Sequence, residues 1–351
     1  MRSPALILAL TAGPGRAPGQ SDLSGIATRL AEHPAVPGAF VGWTTAGSLD
    51  LAVAGTRRQG VATPVEERDL WHIGSLTKSM TATLAARMVA AGAVDWDTTA
   101  GAVLGEARPT MSERWRDVTL EEFLRHASGM RANPRRIGTR RLGQGTRLDY
   151  VARMLESTPA GSRGGFLYSN AGYVVAGAML EAAGGAPWED LVAREVFEPL
   201  GLSSAGFGPP EGEQPWGHRL ALIGGLRAVP PGPRADNMPA LGPAGRVHIA
   251  GGDMLRYLRA HLTESEAYLP RKHWRRLHEP HGPGDYAMGW ADVDGVLRHS
   301  GSNTMWFAQM RLYRKQGVAV FVAVNAAALG RVRAPVEQAA DAVFRLASGG
   351  D

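Results

Sequence analysis

Strand-like segments lie at both ends of this 351-residue chain, and mainly helical patterns lie between them. Near the N-terminus, residues 39–45 and 49–54 are apolar runs joined by the turn Ala46-Gly47-Ser48, which indicates a hairpin. The later strand-like segments are residues 286–291, 296–299, 305–312 and 318–324. This distribution predicts an α/β fold of the α+β type, in which one antiparallel sheet is built from both termini and flanked by helices.

The predicted helices place an inserted, mostly helical domain between the two groups of strands. They are expected at residues 23–33, 80–91, 150–156, 173–183, 188–196, 254–261 and 334–347. We therefore expect one domain over residues 21–351. Its sheet part would cover about 21–92 and 244–351, and its helical part about 93–243. A cleft is expected where the two parts meet.

Composition excludes several classes of function. The net charge of +5 comes from scattered arginines without an accompanying aromatic stripe, so no nucleic-acid partner is expected. The chain has no cysteine, which excludes disulfides, thiolate metal sites and cysteine nucleophiles. The ten histidines show no His-Glu-x-x-His spacing, so neither a metal nor a cofactor is expected.

The first 20 residues differ from the rest of the chain. Arg2 precedes the short apolar run 5–12, and a stretch rich in Gly, Pro and Ala follows. A basic start, a short apolar run and small residues are typical of a cleaved export signal, and a disordered tail is the alternative. We therefore favour a periplasmic or secreted protein over a cytoplasmic one. No segment approaches the ~18 apolar residues of a stable membrane span.

The strongest chemical signal is the spacing Ser75-x-x-Lys78 at the start of the apolar run 80–91. Residues three apart lie on one face of a helix, so the lysine amine would point toward the serine hydroxyl. Burial near a helix N-terminus lowers a lysine pKa and lets the amine act as a base. Only three residues of the chain are lysine, and arginine could not serve here because it does not lose its proton.

Two later segments carry groups that such a serine would need. In Tyr168-Ser-Asn170, the tyrosine is suited to relay a proton, provided that positive charge lowers its pKa. Asn170 is suited to fix the lysine amine and to contact a substrate carbonyl. In His299-Ser-Gly301-Ser302, the glycine allows close backbone approach, and the N–H groups of Ser302 and Ser75 are candidates for an oxyanion hole.

Two roles stay open at this point. His299 is suited either to bind a substrate carboxylate or to assist the tyrosine. Ser128, in Leu124-Arg-His-Ala-Ser128-Gly, is an alternative nucleophile, but it has no base at helical spacing.

Taken together, these segments resemble the β-lactamase-related serine hydrolases, in the branch of class C β-lactamases, D-Ala-D-Ala carboxypeptidases, esterases and D-amino-acid peptidases. The resemblance covers nearly the whole chain after the tail. It rests on the motifs WHIGSLTK (71–78), VTLEEFLRHASG (118–129), YSNAGY (168–173), FEPLGL (197–202), PAG (243–245), YAMGW (286–290) and HSG (299–301).

The resemblance implies a β-lactamase-like fold and a metal-free reaction through an acyl-enzyme on Ser75. It implies Lys78 and Tyr168 as the other catalytic residues, and Asn170, His299 and Gly301 as substrate-positioning residues. The substrate would be a small molecule or a peptide with an ester, amide or lactam carbonyl. The oligomeric state stays open.

Two departures from the family pattern bear on the substrate. Class C β-lactamases and many carboxypeptidases carry Lys-Thr-Gly where this chain has His299-Ser-Gly301, which favours an esterase or D-amino-acid peptidase. The usual Ser/Thr run after Gly245 is replaced by RVHIAGG (246–252), so Arg246 or His248 is expected to alter which substrates enter. The alternatives are a carboxypeptidase, a class C-like β-lactamase, a penicillin-binding sensor and a non-catalytic scaffold.

Overall fold

The computed structural model describes residues 20–106, 110–133, 146–221, 224–282 and 284–349. The segment interpreted as an export signal or disordered tail, residues 1–20, lies outside the described residues except for Gln20, where the first helix begins.

Eleven strands and twelve α-helices can be assigned within the described residues. The strands are β1 (Gly38–Thr44), β2 (Leu49–Gly55), β3 (Leu70–His72), β4 (Gly206–Phe207), β5 (Gly217–Leu220), β6 (Leu226–Val229), β7 (Val247–Ala250), β8 (Ala291–Val293), β9 (Val296–Ser302), β10 (Phe307–Tyr313) and β11 (Val318–Val324). The helices are α1 (Gln20–Ala31), α2 (Thr77–Ala90), α3 (Ala100–Leu104), α4 (Glu113–Arg116), α5 (Leu120–Leu124), α6 (Arg147–Glu156), α7 (Asn170–Gly184), α8 (Trp188–Val192), α9 (Gly242–Gly245), α10 (Gly251–Thr263), α11 (Arg271–His278) and α12 (Leu329–Ala347).

The main sheet has six antiparallel strands in the order β2-β1-β11-β10-β9-β8. The N-terminal hairpin pairs with the last strand, from Ala39 opposite Val324 to Thr44 opposite Ala319. This pairing confirms the predicted antiparallel sheet built from both termini.

Helices cover both faces of this sheet, and the alternation of side chains along β11 shows why. Val320 and Val322 pack into a core with α1 and α12, whereas Ala319, Phe321 and Ala323 pack into the larger core on the other face. Successive side chains of a strand point to opposite faces, so a strand covered on both sides is apolar throughout. The larger core includes α2 and the helical section of the chain.

The middle section contains helices α3 to α8 and also short strands that the sequence pattern did not show. Strand β4 joins β3 and β7 in a three-stranded sheet, and β5 and β6 form a separate hairpin. The boundaries of a helical part at about 93–243 stay a prediction.

The strand predicted at residues 286–291 is wrong. A single bridge between Tyr286 and Ala291 closes this segment as a loop. The reason lies at Gly289, which has a left-handed φ of 81° and lies so close to Ser79 that an added Cβ would be 2.4 Å from the Ser79 Cα. Such a φ breaks the extended backbone of a strand and favours glycine.

Candidate active site

Ser75 lies at the junction between strand β3 and helix α2. A single 3-10 turn, Gly74–Leu76, connects them, and the side chain of Ser75 is partly exposed. The Thr77 hydroxyl donates to the Gly74 carbonyl at 2.7 Å and accepts from the Val247 N–H at 3.2 Å. These bonds tie the turn to β7, so the backbone that carries Ser75 is held at both ends.

Lys78 lies in the first turn of α2 and is fully buried. Its Nζ atom is 2.7 Å from Asn170 Oδ1, 2.6 Å from the Ala244 carbonyl oxygen and 3.2 Å from Ser75 Oγ. Burial lowers the pKa of Lys78 well below its ordinary value, because the charged amine loses its hydration.

The three contacts of Lys78 determine where its lone pair points. A neutral amine has two N–H donors and one lone pair. Asn170 Oδ1 and the Ala244 carbonyl only accept, so they take the two N–H groups. The lone pair is then directed toward Ser75 Oγ, where it can receive the hydroxyl proton. The neutral amine is therefore bound in the orientation that a general base requires.

Tyr168 lies beside the same two groups. Its ring centroid is 4.9 Å from Lys78 Nζ, and its pKa is raised to about 12, because burial outweighs the opposing hydrogen bond with Ser75. The positive charge that was expected to lower this pKa does not do so. Tyr168 therefore keeps its proton at ordinary pH and is suited to donate, while Lys78 is suited to accept.

Asn170 reaches the site because it is the first residue of helix α7. The hydroxyl of the preceding residue, Ser169, accepts the Gly172 N–H at 2.8 Å and caps the helix. Asn170 Oδ1 accepts from Lys78, and its Nδ2 donates to Asn133 Oδ1 at 3.2 Å. The contact with the lysine amine is the expected one, whereas the Nδ2 group that was expected to contact a substrate carbonyl donates to Asn133 in this structure.

Gly301 and Ser302 bring strand β9 directly against the turn that carries Ser75. An added Cβ on Gly301 would be 2.0 Å from the Ile73 carbonyl oxygen and 2.8 Å from the Ser75 nitrogen. On the opposite side of this contact, a Cβ on Gly74, which has a φ of 52°, would be 2.3 Å from the Ser302 nitrogen. The backbone nitrogen of Ser302 therefore lies beside the backbone of the Ser75 turn, as a two-donor oxyanion hole requires.

His299 lies near Tyr168, with ring centroids 6.3 Å apart, and its Nδ1 is 2.8 Å from the Gly289 carbonyl oxygen. Since that carbonyl only accepts, Nδ1 carries the proton and Nε2 is left as an acceptor. Burial, together with the charge of a protonated Lys78, lowers the pKa of His299 to about 3, against the opposing effect of the Gly289 bond. The imidazole is neutral and offers no positive charge to a substrate carboxylate.

His126 is a contributor that the sequence reasoning assigned only to a structural segment. It is fully buried with a left-handed φ of 61°, and its ring lies 4.3 Å from that of Tyr168. Its Nδ1 accepts the Ser169 N–H at 3.0 Å, so it supports the backbone between Tyr168 and Asn170. Neither the residue type nor its neighbours in the sequence indicate that a histidine has a positive φ, so this role could not be predicted.

A buried pair, His72 and Asp236, lies behind the Ser75 turn and was also missed. His72 Nδ1 accepts the Gly74 N–H at 3.1 Å, and its Nε2 is 2.8 Å from Asp236 Oδ1. Burial opposes ionisation of Asp236, but His72 and Arg246 outweigh it and lower the pKa of this carboxyl. The two partners are 164 positions apart in the sequence, which explains why sequence spacing could not show the pair.

The remaining candidates are held by contacts within the protein. Ser128 is almost fully buried, and its Oγ accepts the Met130 N–H at 3.2 Å. Arg246 Nε binds Asp236 at 3.0 Å, and His248 Nδ1 is 3.0 Å from the Gly208 carbonyl oxygen. The two residues expected to alter substrate entry are thus held by contacts within the protein.

Within the described ranges, no group of three or more His, Asp or Glu side chains is arranged to hold a metal ion. Among the same residues, no helix is long and apolar enough to cross a membrane.

The fold brings Ser75 and Lys78 into contact, which is the arrangement that a serine hydrolase with a lysine base would need. A profile of the beta-lactamase family matches residues 25–344 of the chain. The chain belongs to this family, whose members are serine hydrolases, and the predicted fold and family are confirmed.

Three known proteins show how far the similarity extends. Penicillin-binding protein 4 of Amycolatopsis lactamdurans is 28% identical over 327 residues, which cover 85% of this chain and 83% of the relative. The structure of EstCE1, a hydrolase with promiscuous acyltransferase activity, matches with a TM-score of 0.78 at 19% identity, covering 93% of this chain and 98% of that one. The octameric penicillin-binding protein homologue from Pyrococcus abyssi matches with a TM-score of 0.77 at 20% identity, and the match covers 94% of this chain and 78% of that one.

Proposed function

We propose that this serine hydrolase forms an acyl-enzyme on Ser75 and is an esterase- or D-amino-acid-peptidase-type member of the family. The observation that carries the proposal is the buried Lys78 amine, whose two acceptor partners leave its lone pair directed at the partly exposed Ser75 hydroxyl. A lysine that only stabilised the helix would not need an oriented nitrogen with a lowered pKa beside a partly exposed serine.

In the proposed mechanism, Ser75 Oγ attacks the substrate carbonyl carbon while its proton passes to Lys78 Nζ. The carbonyl oxygen becomes negative and binds the N–H groups of Ser75 and Ser302. The bond to the leaving group breaks as Tyr168 donates a proton to it, and the Lys78 ammonium restores that proton. Water then attacks the ester carbonyl on Ser75 and gives its proton to Lys78. The bond from Ser75 Oγ to the carbonyl carbon breaks as Lys78 returns that proton to Oγ, which releases the acid and the free serine.

Two features of the cleft favour esters and uncharged amides over β-lactams. His299 is neutral and occupies the position where the β-lactam-hydrolysing relatives carry a lysine, so the cleft lacks that fixed positive charge for a carboxylate. Tyr286 is buried and contacts both Tyr168 and Phe166, which is 49% exposed, so aromatic rings extend from Tyr168 to the surface. A D-Ala-D-Ala carboxypeptidase is the second candidate, because the chain is similar to a penicillin-binding protein over most of its length.

The experiment compares p-nitrophenyl esters, a D-alanyl peptide and a chromogenic cephalosporin, each with wild-type protein and the Ser75→Ala variant, with intact mass recorded at early times. We expect ester or peptide turnover that falls by about 10⁴-fold in Ser75→Ala and little cephalosporin loss. The matched control is Ser128→Ala, which removes the buried alternative serine and should retain activity.

A stable mass adduct on Ser75 without turnover would instead support a penicillin-binding sensor. Full activity of Ser75→Ala would contradict the proposal, and no adduct with no turnover would favour the scaffold alternative.

We also propose export to the periplasm or the exterior, supported by Arg2 and the apolar run 5–12. Expression in a bacterial host followed by N-terminal sequencing of secreted protein would test this. An uncleaved protein that stays in the cytoplasm would contradict it.

A further inference from the structure

The hairpin of β5 and β6 places two arginines directly opposite each other. Arg219 pairs with Arg227 in the antiparallel register, and both side chains are exposed. Directly opposed residues lie on the same face of a hairpin, with Cβ atoms about 5 Å apart, and like charges in this arrangement are destabilising. The pairing therefore has a cost unless something negative lies between the two guanidinium groups.

A cavity of about 310 Å³ is bordered by both of these arginines and by Arg234. Its other wall is the segment Pro230–Pro233, which contains three prolines. Proline fixes φ, so this wall loses little conformational freedom when a ligand binds. A volume near 300 Å³ is at the lower end of the range for small-ligand sites.

The hairpin that carries the cavity is firmly attached to the rest of the fold. His218, next to Arg219, is fully buried, and its Nδ1 lies 2.7 Å from the Asn325 carbonyl oxygen. The His218 N–H also donates to the Met305 carbonyl at 2.9 Å. The arginine side chains therefore project from a fixed backbone, which is what a preformed site requires.

Among the described residues, no carboxylate neutralises these three arginines. None of them forms an ion pair with Asp or Glu in the part of the chain that the structure describes. Asp351 is the one acidic residue that lies outside that part. Other arginines of the protein differ: Arg57, Arg147 and Arg246 each bind a carboxylate.

We propose that Arg219, Arg227 and Arg234 form a binding site for a multiply charged oxyanion, separate from the Ser75 site. The planar guanidinium group matches the oxygens of phosphates and carboxylates with two parallel hydrogen bonds. Three such groups around one cavity suit an anion that carries more than one negative charge. An anion bound between the guanidinium groups of Arg219 and Arg227 would attract both of them and offset their mutual repulsion.

The test is titration calorimetry at low ionic strength with tripolyphosphate and with citrate, using the Ser75→Ala protein so that catalysis plays no part. We expect one anion per chain, about tenfold weaker binding in Arg227→Gln or Arg234→Gln, and loss of binding in the double variant R219Q/R227Q. The matched control is Arg153→Gln on α6, an exposed arginine that bears the same change of net charge. It should stay within about twofold of the parent.

Binding of either anion with this dependence supports the site, and the tighter of the two identifies phosphate or carboxylate as its ligand chemistry. Absence of binding by both anions would overturn the proposal. An equal loss in Arg153→Gln and Arg227→Gln would overturn it as well, because the attraction would then follow net charge alone. None of these outcomes depends on whether Ser75 is the nucleophile.

Discussion

Helix α2 has polar side chains on two sides, and the two sides differ in what their polar atoms contact. On the cleft side, Lys78 lies beside the Ser75 hydroxyl, which is partly exposed. On the other side, Ser79 and Thr83 are fully buried beside Tyr257 and His261. Both sides contain hydroxyls and a titratable nitrogen within one or two helical turns.

On the buried side, the hydroxyl groups form their hydrogen bonds with other groups of the protein. Ser79 Oγ donates to the Leu76 carbonyl at 2.8 Å and accepts from the Tyr257 hydroxyl at 3.0 Å. Thr83 Oγ1 donates to the Ser79 carbonyl at 2.9 Å and lies 3.2 Å from His261 Nε2. Every hydroxyl there is occupied, so the network contributes to stability and to the placement of the Ser75 turn. On the cleft side, the lone pair of the buried Lys78 points at Ser75 Oγ, and the Ser75 side chain is partly exposed.

The largest expected effect tests the cleft side through Lys78→Arg. Arginine has a similar reach, but it stays positively charged and does not give up its proton, so it cannot act as the base. We expect kcat to fall by about 10³- to 10⁴-fold in ester hydrolysis, with Lys78→Met giving a similar loss. The control is Lys272→Arg, an exposed residue of α11, which should leave kcat unchanged. Substantial activity in Lys78→Arg would remove Lys78 from the role of base.

The next effect concerns the contact between strand β9 and the Ser75 turn, tested by Gly301→Ala. The added methyl would meet the Ile73 carbonyl oxygen at 2.0 Å, so strand and turn must separate. A shift of about 1 Å in such a site can cost about 100-fold in rate, and we expect a loss of that order in kcat. Gly330→Ala is the matched control, since a Cβ there meets no atom within 4 Å. Equal activity of both variants would show that β9 does not shape the oxyanion site.

The pH dependence of kcat/KM should show the ionisation of Lys78 on the cleft side of α2 and none from His261 on the buried side. Lys78 has a lowered pKa and must be neutral to act, so the rate should rise with pH through that pKa, tenfold per unit below it. Tyr168, with its pKa raised to about 12, should give no decline before strongly alkaline pH. The pKa of His299 is about 3, and burial lowers the pKa of His261 well below its ordinary value. Neither histidine should therefore add a step to the profile near neutral pH.

The profile would be measured on wild type and on Lys78→Arg with a neutral ester. A decline near pH 7 on the alkaline side would contradict these assignments. Such a decline would mean that a histidine has to be protonated for turnover.

The sequence predicted the parts of this site that are local, and it missed those that depend on distant contacts. The spacing of Ser75 and Lys78 needs only the helical repeat, and the apolar runs of β10 and β11 need only burial on both faces of the sheet. The strand expected at 286–291 failed because the left-handed Gly289 is set by its contact with Ser79, which lies on another element. The catalytic roles of Ser75, Lys78 and Tyr168 stay predictions that the experiments above address.

The same limit applies to charge states. The sequence predicted a lowered pKa for Lys78, which follows from burial at the start of a helix. It did not predict that the pKa of Tyr168 would be raised to about 12. That pKa depends on the burial of Tyr168, which precedes α7 and packs against His126 and Tyr286. Residue type and spacing give no measure of how much water reaches a side chain.

The smallest expected effect on catalysis tests the buried side of α2 through Tyr257→Phe. This change removes the hydroxyl that donates to Ser79 Oγ and keeps the ring that packs against His261. We expect the free energy of unfolding to fall by about 1–3 kcal/mol, since Ser79 loses a buried hydrogen-bond donor. Because Ser79 still donates to the Leu76 carbonyl, the Ser75 turn should stay in place and kcat should change by less than about threefold. Denaturant unfolding and ester kinetics on the same preparation would measure both quantities. A loss of kcat as large as that of Gly301→Ala would mean that the buried network acts on the nucleophile directly, and the two sides of α2 would then form one functional unit.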